Sequence, residues 1–216
     1  MNDEDKKCLG RIRDKYGAIL EEAAMRFGHK PECLAGILMQ ETRGGESQLL
    51  KDPDGAPDGN PADDTGDAGH GHGLMQIDDR SFPEFCKSED WKDPAENIAF
   101  GARVLAEKRH YLATKNIPLD ILERASVAAY NCGEGNVLKA HLAGEDIDSR
   151  TAGHCYSARV MAFAKQYRLA TPADLPAIPP EIPAPKQESA GVFGLLWNLV
   201  LKTFIGRKAV NNGEGK

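Results

Sequence analysis

Aromatic side chains make up only 6% of the 216 residues, so aliphatic and alanine-rich contacts must fill much of any core. No segment alternates apolar and polar residues over strand length, which argues against a β architecture. Basic charge is not in excess. The 27 Lys and Arg against 33 Asp and Glu leave a formal net charge of −6, without the basic footprint of a general nucleic-acid binder. The opening Met1-Asn2-Asp3-Glu4-Asp5-Lys6-Lys7 has no apolar stretch behind it and does not read as a secretory signal. Cysteine is scattered: Cys8, Cys33, Cys86, Cys132 and Cys155 are odd in number and lack metal-ligand spacing, as expected of reduced, mostly buried thiols. Together these point to synthesis in a reducing cytoplasm without a signal peptide.

What is present fits one well-cored domain with appendages, at 41% apolar and 28% charged residues. Leu9, Ile12, Tyr16, Ile19, Ala23 and Phe27 recur at helical steps and stop at Gly28. Pro31 suits the first turn of a second helix, along which Leu34, Ile37, Leu38 and Glu41 share a stripe before Gly44-Gly45. Asp93-Pro94-Ala95-Glu96 resembles a capping box opening a helix to about Ala113. Further helices are predicted at about 119–130, 136–142 and 154–167. Residues 51–69, rich in Asp, Gly and Pro, read as a long surface loop. The fold class is therefore all-α or nearly so, with room for a small hairpin near the Gly-rich loop.

The chemistry concentrates in residues 40–78. Glu41 closes an apolar stripe, where partial burial disfavours ionisation, as a general acid at neutral pH requires. Asp67 and Asp78 bracket Gly69-His70-Gly71-His72-Gly73-Leu74-Met75-Gln76-Ile77. By themselves they are compatible with turn chemistry or with activating a water. The glycines differ in spacing from a dinucleotide fingerprint and would let backbone amides approach a ligand closely. His70 and His72 have no third metal ligand nearby in sequence. In the acidic run Asp52, Asp54, Asp58, Asp63, Asp64, the residues Ala56 and Pro57 stand where a calcium loop needs an oxygen ligand and a glycine. No metal or other cofactor is expected. Tyr130-Asn131, before Gly133 and Gly135, reads as a helix C-cap or as a cleft wall.

Taken in order, the Glu-ending helix, the Gly-Leu-Met-Gln loop, Asn97-Ile98, Ala128-Ala129-Tyr130-Asn131 and Tyr156 resemble the goose-type lysozymes, which share their fold with the soluble lytic transglycosylases. The resemblance spans roughly residues 30–167. It implies a lysozyme-like helical globule that acts on peptidoglycan as a monomer. Glu41 would protonate the glycosidic oxygen, and Asp67 and Asp78 would position and activate water. His72, Met75, Gln76, Tyr130, Asn131 and Tyr156 would contact the glycan. The aspartate pair favours hydrolysis of the bond between N-acetylmuramic acid and N-acetylglucosamine over a transglycosylase outcome with 1,6-anhydro products. A non-catalytic glycan-binding module has no need of three carboxylates around one loop. Peptidoglycan is itself largely anionic, so long-range attraction would not steer this acidic chain to it. The substrate lies outside the bacterial membrane, so release or delivery is required.

The division expected is a catalytic domain over 1–170, a proline-rich tether over 171–188 and an apolar-basic helix over 189–216. Pro172, Pro176, Pro179, Pro180, Pro183 and Pro185 set the tether's character. Beyond it, Phe193, Leu196, Trp197, Val200, Leu201 and Phe204 share one helical face, followed by Arg207 and Lys208. The run is shorter than the roughly 20 residues of a membrane-spanning helix. A helix lying in the membrane interface fits best, with folding back onto the domain and docking to a partner as alternatives. Deleting residues 187–216 should leave cleavage of soluble glycan intact and weaken binding to anionic lipid vesicles. Absence of vesicle binding by the full chain at low salt would remove the membrane reading.

Overall fold

The computed structural model describes residues 1–47, 50 and 64–169. The proposed tether and C-terminal helix, and most of the 51–69 loop, lie outside them. Seven α-helices are found among the described residues: α1 (Asp3–Phe27), α2 (Pro31–Thr42), α3 (Pro83–Lys87), α4 (Pro94–Thr114), α5 (Leu119–Cys132), α6 (Glu134–Leu142) and α7 (Tyr156–Leu169). Three two-residue strands, β1 (Thr65–Gly66), β2 (Gly71–His72) and β3 (Ile77–Asp78), form an antiparallel meander in the order β1-β2-β3. The mostly helical expectation holds, and the small hairpin near the glycines becomes three strands. Among the described residues no helix is long and apolar enough to cross a membrane.

Local sequence accounts for the helix ends. The Asn2 side chain accepts from the Asp5 amide at 2.8 Å, and Asp3, Glu4 and Asp5 sit in the first turn of α1, where negative charge complements the helix dipole. Gly28, at φ 72°, ends α1 in the left-handed conformation. Asp93 accepts from the amides of Ala95 and Glu96, with Pro94 opening α4. The short α3 was not anticipated, because five residues carry too little periodicity to announce a helix. The end of the predicted surface loop is likewise structured: residues 65–69 supply β1 and a 3₁₀ turn.

Helix α2 is the hub. Residues 33–39 are all buried, a run apolar all round, as a helix enclosed by others requires. It packs between α1 and α7, while α4 lies against α1 and α5, and α6 against α5. The main core includes Leu9, Ile12, Leu34, Leu38, Ile98 and Val160. A second cluster, with Leu112, Leu122, Ala128 and Val137, fills the space between α4, α5 and α6. All five cysteines are free, with Cys8 and Cys33 buried.

Helices α2 and α7 approach closely at Gly36, where a Cβ atom would lie 2.5 Å from the Val160 carbonyl oxygen and 3.2 Å from the Ala164 amide nitrogen. Both obstacles are backbone, so neither can swing away. Helix propensity alone would make Gly36→Ala stabilising by up to about 1 kcal/mol. Overpacking, at about 1–3 kcal/mol, should outweigh it and lower Tm by several degrees on calorimetry. An unchanged or raised Tm would show that α2 and α7 are not locked at this distance.

Candidate active site

Glu41 sits in the last turn of α2, one residue before the buried Thr42. Its carboxyl group faces a cavity of about 470 Å³ also lined by Asp67, Asp78, Gln76, Tyr130 and Asn131. Burial pushes the Glu41 pKa up to about 7, opposed only in part by a hydrogen bond that the Tyr156 hydroxyl donates to its Oε1. Burial first, and the neighbouring Glu41 second, raise the Tyr156 and Tyr130 phenols well above their ordinary value. Both therefore remain hydroxyl donors. Glu41 is thus a carboxylic acid with one oxygen anchored and a proton available near neutrality.

Asp78 has the opposite character. Partial burial would raise its pKa, but hydrogen bonds from the Ser81 hydroxyl (2.7 Å), Arg80 Nε (2.7 Å) and the Ser81 amide (3.1 Å) outweigh that and hold it below the usual carboxylate range. Asp67 lies across the meander in a 3₁₀ turn, itself at φ 48° and followed by Ala68 at φ 57°. Arg80 Nη2 donates to Asp67 Oδ2 at 2.8 Å. One guanidinium therefore links the two aspartates.

The meander is held against the helices through residues 72–75. Thr42 Oγ1 donates to the Leu74 carbonyl at 2.9 Å, and the Tyr130 hydroxyl donates to the Met75 carbonyl at 2.9 Å. Asn97, fully buried on α4, accepts from the Met75 amide at 2.8 Å and donates to the carbonyls of His72 and Trp91, each at 3.1 Å. Gly73, at φ 68°, leaves the room: a Cβ there would lie 2.3 Å from Asn97 Nδ2.

Three residues expected to contact glycan do not line the cavity. The Met75 side chain is 0% exposed and packs over Gly101, whose missing Cβ makes space for it; it is a core residue. Tyr156, 3% exposed, reaches the site only through Glu41. His72 hydrogen-bonds Asp79 Oδ2 at 3.4 Å and packs edge-on against Trp91, while His70 bonds Asp79 Oδ1 at 2.9 Å. The histidines thus shape the loop. Among the described residues no group of three or more His, Cys, Asp or Glu is arranged to hold a metal ion. Gln76 does line the cavity, but its carboxamide lies over Gly66 and Gly71 and donates to the Gly73 carbonyl at 2.9 Å. Asn131 lines it too, with Oδ1 accepting from the Ala152 amide at 2.8 Å.

Residues 18–150 match the family described as the Transglycosylase SLT domain. Lysozyme g of Takifugu rubripes is 30% identical over 160 residues, covering 72% of this chain and 75% of its own length. Lysozyme g of Epinephelus coioides is 28% identical over 163 residues, covering 74% and 77% respectively. Lysozyme g of Casuarius casuarius is 28% identical over 161 residues, covering 72% and 74%. The chain belongs to the goose-type lysozyme and SLT transglycosylase family. That family cleaves the glycan strands of peptidoglycan, by hydrolysis or by transglycosylation.

Several residues that build this family member's site escaped the sequence reading. Arg80 and Ser81 follow Asp78 closely enough that an Asp-x-Arg-Ser string could have flagged them. Thr42, next to Glu41, carries no motif of its own, and its bond to Leu74 spans 32 positions. Asp148 gave no local sign at all. It is 1% exposed, yet it accepts from the Ser157 amide (2.8 Å), the Ser157 hydroxyl (2.7 Å) and the Ala158 amide (3.0 Å). Those bonds, helped by Arg124 at 3.2 Å, overcome its burial and keep its pKa low. They also fix the start of α7, which carries Tyr156.

Glu41 has a consequence for stability. Its folded pKa is about 7 against an ordinary 4.5, so the folded state holds this proton more tightly than the unfolded chain. Its contribution is fully present below pH 4.5 and is lost as pH rises through 7. Glu41→Gln removes the titration. Its stability relative to the parent should therefore climb across that window, by on the order of 3 kcal/mol. Denaturant unfolding of both proteins from pH 4 to 8 tests this; a constant difference would mean that Glu41 ionises freely in the fold.

Proposed function

We propose that this protein is a muramidase, hydrolysing the β-1,4 bond between N-acetylmuramic acid and N-acetylglucosamine in peptidoglycan with inversion at the anomeric carbon. The observation that carries this reading is the contrast between two carboxyls on one cavity. Glu41 is held near pKa 7, and Asp78 is held below the usual range. A glycosidase needs one group that retains its proton and another that is ionised.

Glu41 transfers its proton to the glycosidic oxygen as the bond to C1 breaks. Tyr156 fixes the orientation of that carboxyl, so little geometric freedom is lost in reaching the transition state. A water on the opposite face of the sugar attacks C1 and passes a proton to the aspartate pair, with Asp67 and Asp78 sharing its positioning. Gln76, Tyr130 and Asn131 line the cavity beside these groups and contact the glycan. Glu41 recovers its proton from solvent. The transglycosylase outcome needs only the acid, and the paired aspartates favour the hydrolytic one.

Glu41→Gln preserves shape but has no transferable proton, so turnover should fall at least about a hundredfold while circular dichroism and glycan binding persist. Mass spectrometry of muropeptides released by the unaltered protein should show reducing ends. Near-normal clearing of cell walls by the variant would sink the acid assignment, and mainly 1,6-anhydro ends would place the protein on the transglycosylase branch.

A further inference from the structure

We propose that Arg80 is the positioning residue that directs the cleaved sugar to water rather than to its own C6 hydroxyl, by tying Asp67 to Asp78. The inference rests on the hydrolytic reading above and adds to it a determinant of reaction outcome. Arg80 lines the same cavity as both aspartates and is 59% exposed along its side chain. Its Nε donates to Asp78 Oδ1 at 2.7 Å and its Nη2 to Asp67 Oδ2 at 2.8 Å. Two donors of one rigid planar group thus set the spacing of two carboxylates that would otherwise repel.

The two aspartates do not depend on this tie equally. Asp78 keeps two further bonds from Ser81, at 2.7 and 3.1 Å, and its backbone is paired, Gly71 opposite Asp78. Asp67 is 68% exposed and stands in a turn where it and Ala68 both adopt positive φ, a conformation that non-glycine residues hold only under restraint. Loss of Arg80 therefore falls mainly on Asp67, which would leave one wall of the water site unfixed.

Both outcomes begin with Glu41 giving its proton to the leaving oxygen as the C1–O bond breaks. In hydrolysis a water oxygen bonds to C1, one proton of that water passes to an aspartate, and a new reducing end forms. In the internal route the C6 hydroxyl oxygen of the same sugar bonds to C1. Its proton returns to the Glu41 carboxylate, and a 1,6-anhydro ring forms without consuming water. The acid is common to both, so the ratio of products reports how well water is held.

The test uses the full chain with Arg80→Gln and Arg80→Lys, digesting purified peptidoglycan and counting reducing and 1,6-anhydro ends by mass spectrometry alongside kcat and KM. For Arg80→Gln we expect kcat to fall on the order of tenfold, with KM changed by less than about twofold, the pattern of a group acting in the transition state. The ratio of anhydro to reducing ends should rise at least about fivefold. Arg80→Lys, which keeps a charge but not the two-pronged geometry, should lie between. An unchanged end ratio in Arg80→Gln, whatever its rate, overturns the inference while leaving hydrolysis by the parent intact. Mainly anhydro ends from the parent itself overturn the hydrolytic reading, and this inference with it.

Discussion

The backbone of Leu74 and Met75 is gripped from three helices at once: by Thr42 at the end of α2, Asn97 on α4 and Tyr130 on α5. Each of these bonds satisfies a peptide group that lies in a water-poor interior, where an unpaired donor or acceptor costs about 1–3 kcal/mol. The grip fixes the loop joining β2 to β3, and the pairing of β2 with β1 and β3 then sets where residues 66–67 and 78 stand. The aspartates thus reach the Glu41 cleft through a short chain of backbone hydrogen bonds. Glycines at 66 and 71 permit this by leaving space for the Gln76 carboxamide, and Gly73 by making way for Asn97.

The same framework divides labour between two carboxyl groups. Glu41 leaves a packed helix and meets one hydroxyl donor, so desolvation wins and the proton stays. Asp78 leaves a small strand and meets two hydroxyl or amide donors and a guanidinium, so the anion wins. Asp148 shows the second principle at greater depth. Although almost wholly buried, it remains below the usual carboxylate range because three donors at the start of α7 and Arg124 converge on it. Its place in the site is indirect: it anchors the helix end from which Tyr156 reaches Glu41.

Much of this was readable from residue order. The stripe of Leu34, Ile37, Leu38 and Glu41 announced both a buried helix and an acid at its end, because helical periodicity is a local property. The stop at Gly28 and the starts at Pro31 and Asp93 are also local, since caps act within a turn or two. The placements of Met75, Tyr156 and His72 were not local. Met75 is drawn inward by the absence of a side chain at Gly101, 26 positions later in the chain. Tyr156 is turned toward Glu41 across the α2–α7 contact, and His72 is occupied by Asp79 and Trp91.

Sequence by itself determined the helical class, the ends of α1 and α2 and the start of α4, the acid at residue 41 and the bracketing of the glycine loop by Asp67 and Asp78, because these follow from spacing and from conformational preferences within a few residues. Only the tertiary structure decided which polar groups meet. It joined Arg80 to Asp67 across two strand pairings, set Asn97 beneath the loop and brought Asp148 to the start of α7. It also set the proton affinities, because desolvation and hydrogen bonding depend on neighbours that the chain supplies from far away in sequence.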